Sequence, residues 1–204
     1  MPFSGQKTFA YNTPKLMKGE YIMILTHYYP KIDLINELTP KFLTSNITEY
    51  SEKEQHIIAE QLSHCSGRAL NRFKRFNNYI RQRNETEKWL FSAFLNAGGC
   101  PVSLHPFYFI LGESQQLKHD FGSDAKTIQL DTNLINYNHI SFTLGDSVGV
   151  YISSAQKKIY LLDQIEELLS APEFIQWQMN PLQSYHRYIE AQLWDKHYLN
   201  ECIL

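Results

Sequence analysis

Gly98-Gly99-Cys100-Pro101 divides the chain into two textures. Before it, apolar residues recur at helical spacing; after it, short β-branched and aromatic runs alternate with turn residues. Glycine enters the left-handed backbone region freely, and proline has no amide hydrogen to continue a helical ladder. The reading is therefore α+β: a helical N-terminal half followed by a mainly antiparallel, twisted sheet. The 204 residues fit a single domain. Its helical subregion covers about 48–98 and its strand-rich subregion about 103–204, with strand 20–29 contributed from the N-terminus.

The first half carries its own punctuation. Ser51 and Glu54 make a capping-box pattern, in which each side chain satisfies the other's free backbone N–H. The helix they open carries Ile57, Ile58, Ala59 and Leu62 to about Cys65, where Gly67 breaks it. Leu70, Phe73, Phe76, Tyr79 and Ile80 predict a second helix. Asn84 and Glu87 repeat the capping logic for a third, buried through Trp89, Leu90 and Phe94. Ahead of these, EYIMILTHYY (20–29) has the composition of a buried strand, and Ile32, Ile35 and Leu38 follow at helical spacing.

In the second half HPFYFILG (105–112), KTIQLD (126–131), HISFTL (139–144) and VGVYIS (148–153) read as strands. KKIYLL (157–162) is a further candidate, running into the helix LDQIEELL, and Pro172 opens a short helix. HRYIEAQLWD can be read two ways. As a helix begun one residue earlier it buries Tyr185, Ile189 and Leu193 and leaves Glu190 in water. As a strand it puts Ile189, Ala191 and Leu193 on one face, and Tyr188, Glu190, Gln192 and Trp194 on the other.

Composition removes several classes of function. A formal net charge of −2 gives no global attraction to nucleic acid or acidic lipid. No apolar run is long enough to span a bilayer, and the N-terminal stretch has no apolar core before a small-residue cleavage site. Cys65, Cys100 and Cys202 are odd in number and widely spaced, which fits neither a disulfide framework nor a CxxC metal site. The expectation is a reduced, cytoplasmic protein; export without a cleaved signal would leave the same sequence. The eight histidines form no HxxxH or HxH pair, so no metal is expected. GxxxxGK[ST] and GxGxxG are both missing.

Two local features could bear function. Arg68, Arg72 and Arg75 share a face of the predicted second helix, in a stretch from Gly67 to Arg83 that contains no acid. They could contact phosphate, or form a solvated face paired with glutamates elsewhere. Cys100 precedes His105 by five residues, a spacing open to a Cys–His nucleophile pair, although no GxCxG-type elbow surrounds it.

Three short pieces combine differently. His27 ends a buried strand before a helix, Ser141 and Thr143 share a strand face, and Glu190 and Gln192 share another if 188–194 is extended. This order resembles the mono-ADP-ribosyltransferase superfamily, especially its histidine-type members, over some thirty residues. The resemblance implies an NAD-dependent transferase with Glu190 as the catalytic carboxylate. It also implies that His27 contacts NAD, that Ser141 and Thr143 line the site, and that Gln192 sits beside Glu190. Tyr108 would stack on nicotinamide in place of the family's usual aromatic. The acceptor would be a protein, a nucleic acid or a small molecule, or water. The chain departs from the pattern in reading SFT in the middle strand and in lacking a glycine after the first helix. HPFYFILG, SFTLGDS and YIEAQLW together also resemble small bacterial proteins of unassigned activity. The competing reading is a non-catalytic interaction protein that binds a partner through its helical half.

Overall fold

The computed structural model describes residues 23–31, 42, 44–153, 157–172 and 188–203. It is α+β, with helices packed on a five-stranded antiparallel sheet. The strands are β1 (Ile24–Tyr29), β2 (Phe107–Leu111), β3 (Lys126–Asp131), β4 (Ile140–Leu144) and β5 (Ile189–Leu193). Their order across the sheet is β3-β1-β2-β5-β4. The helices are α1 (Glu52–His64), α2 (Phe76–Asn96), α3 (Gln115–Asp120), α4 (Ser147–Ser153) and α5 (Leu162–Leu169).

Register assigns the two faces. Ala191 lies opposite Phe109 on one side and Phe142 on the other, so all three point the same way. With Leu25, Leu130, Ile140, Ile189 and Leu193 they form an apolar layer that also takes in Ile165 of α5. Glu190 lies opposite Ile110 and Thr143, and Gln192 opposite Tyr108 and Ser141, so this set shares the other face. Thr26 is opposite Ile110 and joins it.

The capping box at Ser51 and Glu54 forms as read from the sequence, and α1 ends at His64. Gly67 then lets the chain pass close to the end of α3. A Cβ there would stand 2.6 Å from the Asp120 carbonyl oxygen, and its φ of 157° belongs to the region that disfavours other residues. Gly98, at φ 95°, ends α2 as expected.

Three expectations are corrected. The predicted second helix is a 3-10 stretch, Arg68–Arg75, followed without a break by α2. No third helix starts at Asn84. Glu87 lies mid-helix and buried, and its carboxylate pairs with Arg83 one turn earlier, so it caps nothing. VGVYIS is α4 and not a strand. Its β-branched alternation suggests an extended run, but the Asp146 side chain accepts from the amides of Val148 and Gly149 at 2.9 and 3.1 Å, which nucleates a helical turn. KKIYLL contributes only a bridge between Tyr160 and Phe142. The expected helices after Pro30 and Pro172 lie outside the described residues, apart from Pro172 itself. No described helix is long and apolar enough to cross a membrane.

Candidate functional site

The ambiguity of HRYIEAQLWD resolves to strand: β5 is central, with ladders to β2 and β4. Glu190 and Gln192 therefore stand side by side over the sheet, under α2 and α4. Gln192, Ser141 and Thr143 are fully buried, and burying so many polar atoms is tolerable only if each finds a partner. They do, as a directed chain. Trp194 Nε1 donates to Ser141 Oγ at 2.9 Å, and Ser141 donates to Gln192 Oε1 at 3.0 Å. Gln192 Nε2 donates to Thr143 Oγ1 at 3.1 Å and to Glu190 Oε1 at 3.2 Å. Thr143 Oγ1 donates in turn to the Gly145 carbonyl at 2.9 Å. The backbone N–H of Ser147, at the start of α4, donates to Glu190 Oε1 at 3.1 Å.

These bonds orient the Glu190 carboxyl toward a half-open hollow of about 70 Å3. Thr26, Arg72, Arg83, Tyr108, Asp146 and Tyr188 are among its lining. Burial pushes the Glu190 carboxyl up, and the neighbouring Asp146 charge pushes it further; hydrogen bonds from Ser147 and the Arg83 charge pull back. The balance is about 7, from an ordinary 4.5. Tyr188 is raised well above the usual phenol value, first by burial and then by Asp146.

A second polar cluster adjoins the hollow. Arg83 pairs with Glu87 through Nε, donates to Tyr79 Oη at 3.0 Å and donates to the Ser45 carbonyl at 2.7 Å. Glu87 also accepts from His105 Nδ1 at 2.6 Å and from Tyr108 Oη at 3.2 Å. Burial alone would raise the Glu87 carboxyl. The Arg83 charge, with hydrogen bonds from His105 and Arg83, outweighs it and holds the group below its usual value. The same hydrogen bond to Glu87 raises His105.

The expected site residues separate into those that meet and those that do not. Glu190, Gln192, Ser141, Thr143 and Tyr108 share one face. His27 borders the hollow, but its ring is on the opposite face, because Thr26 beside it faces Glu190's way. That ring packs 5.1 Å from Phe42 and 5.6 Å from Phe109, and Nδ1 donates to the Tyr108 carbonyl at 2.7 Å. One face of the Tyr108 ring is covered by the Arg83 guanidinium at 3.8 Å. The arginine stripe splits: at three residues per turn Arg68 and Arg72 lie about 120° apart, and Arg75 sits at the non-helical joint with α2, at φ −124° and ψ 48°. Arg72 lines the hollow, whereas Arg68 and Arg75 are exposed. His105 Nδ1 is engaged by Glu87 and not by Cys100.

Sequence reasoning missed Arg83, Glu87, Tyr188 and Thr26, and assigned no role to Asp146. The signal available for Arg83 and Glu87 was their opposite charge one helical turn apart. For Asp146 it was Asp-Ser ahead of a helix start. Among the described residues no group of three or more His, Cys, Asp and Glu could hold a metal ion. No protein-family model matches the chain, and neither a curated protein nor a solved structure matches it.

Proposed function

We propose that this protein is an NAD-dependent, ADP-ribosyltransferase-like enzyme in which Glu190 is the catalytic carboxylate. The observation that carries the reading is Glu190 itself: a buried acid on a central strand, fixed by Ser147 and Gln192 and facing a hollow. Breaking the bond from ribose to nicotinamide sends its electron pair to the departing ring and builds positive charge on the sugar. An aligned carboxylate stabilises that charge more than it stabilises the ground state. An acceptor, or water, then bonds to the sugar and gives up a proton. Only the ionised carboxylate serves, so the rate should rise with pH through about 7.

The geometry changes the roles of the supporting residues. His27 is a positioning residue, tying β1 to the Tyr108 carbonyl from beneath the sheet. Ser141, Thr143 and Gln192 hold Glu190 in place rather than touching NAD. The hollow's volume of about 70 Å3 is less than half the roughly 150 Å3 that holds a benzene ring. The ribose edge fits it, and the nicotinamide would lie outside, so Tyr108 is not its stacking partner.

A non-catalytic interaction protein is the second reading. It is favoured by the saturated hydrogen bonding of Ser141, Thr143 and Gln192, which need no ligand to satisfy them. Thermal-shift titration with NAD separates the two. A ligand bound only by the folded chain raises the melting temperature with concentration. The enzyme reading expects such a rise at millimolar NAD, and nicotinamide release that falls on the order of a hundredfold or more in Glu190→Gln. No shift, or activity that survives the substitution, rejects it.

A further inference from the structure

The helical half carries an open groove that the polar face of the sheet does not use. It runs between α1 and the junction of the 3-10 stretch with α2, and its volume is about 950 Å3. Ala59, Phe73 and Phe76 form its apolar floor, each less than a tenth exposed. Ile57 stands above them 45% exposed, a large aliphatic side chain in water beside a concave apolar surface. The rim is charged with one dominant sign: Lys53, Lys74 and Arg75 against the single acid Glu60. All four are exposed. This local excess of positive charge lies on a chain whose net charge is −2. The first turn of α2 holds no acidic residue, so nothing there offsets the positive end of a 21-residue helix.

We infer that this groove docks an acidic, amphipathic peptide segment of a partner protein. Its apolar residues would cover Ile57, Phe73 and Phe76, and its carboxylates would meet Lys53, Lys74 and Arg75. Helix-in-groove recognition uses this combination of an apolar floor with a charged rim. Charge complementarity selects an acidic partner and speeds its encounter. The chemistry of the floor selects peptide over nucleic acid. Single-stranded nucleic acid needs aromatic faces open for base stacking. Here Phe73 and Phe76 lie beneath the surface, and the His56 ring meets Phe76 edge-on at 5.2 Å. Of the apolar side chains in the lining, the one that projects is the aliphatic Ile57.

Fluorescence anisotropy on the full chain tests this. The probe is a labelled peptide with leucines at helical spacing on one face and glutamates on the other. A single-stranded RNA of equal charge is the comparison. Saturable peptide binding is expected, with Kd on the order of 10 µM and weakening as salt rises. Ile57→Asp and the double variant Lys74→Glu/Arg75→Glu should each weaken it about tenfold or more. Both sites are exposed, and an unchanged melting temperature shows that the variants are folded. No saturation at millimolar protein, affinity untouched by Ile57→Asp, or tighter binding of the RNA overturns the inference. None of these outcomes depends on NAD or Glu190.

Discussion

Along β5, Ile189, Ala191 and Leu193 enter an apolar layer under α5, while Glu190 and Gln192 enter a hydrogen-bonded layer under α2 and α4. Neighbouring residues on one strand thus serve two different interiors. The apolar face is held by volume and close packing, and along β5 it places no titratable side chain, so the packing there does not change with pH. The polar face needs every donor matched, and it includes groups whose charge state depends on the rest. It is the costlier face to build, because desolvated polar atoms return little beyond what water gave them. That contrast makes it the candidate site.

The largest expected effect breaks the apolar side. Phe142→Ala should cost about 4 kcal/mol, by lost transfer energy and the cavity left behind. Denaturant unfolding at acid and at neutral pH should give the same loss. Its counterpart across the sheet is Glu87→Ala, which leaves the buried Arg83 charge without its carboxylate. About 3 kcal/mol is expected. Replacing both Arg83 and Glu87 by apolar residues should recover part of that; a double variant worse than Glu87→Ala would contradict the assignment.

Glu190 sharpens the comparison through pH. Its folded value, about 7, lies above the ordinary 4.5. Below the unfolded value both states hold the proton, and the full stability is present. As pH rises from there through 7 the unfolded state ionises first, and stability is lost. The span corresponds to about 3 kcal/mol. Glu190→Gln should abolish this loss, so the variant gains on the parent chain as pH rises from acid to neutral. Equal pH slopes would place the titration elsewhere. The smallest effect concerns Thr26, whose buried hydroxyl has no partner among the described residues. Thr26→Val should stabilise the fold by about 1 kcal/mol, read as a raised melting temperature. A destabilised variant would mean that the hydroxyl is satisfied.

The sequence showed clearly where one local rule governs. The Ser51–Glu54 box, the glycine stop at Gly98 and the extent of KTIQLD are set by capping, backbone freedom and alternation. It misled where two rules competed. Val148, Val150 and Ile152 favour extension, but the Asp146 cap, with packing of Tyr151 against Trp89 of α2 at 5.8 Å, holds them helical. Glu87 had the spacing of a cap and also of a partner for Arg83 one turn earlier, and only the fold shows it buried with His105 beside it. The alternation in β5 was legible as a possibility, because period-two and helical readings both bury Ile189 and Leu193. The face of His27 was not legible. It depends on the register of β1 against β2, a long-range pairing that a short apolar run does not encode.

The setting of Glu190 pushes its carboxyl up to about 7, and the most direct measurement is a 13C NMR titration of that side chain. A midpoint near 7 is expected, moving down when Asp146→Asn removes the neighbouring charge. A midpoint near 4.5, unmoved by that substitution, would contradict it.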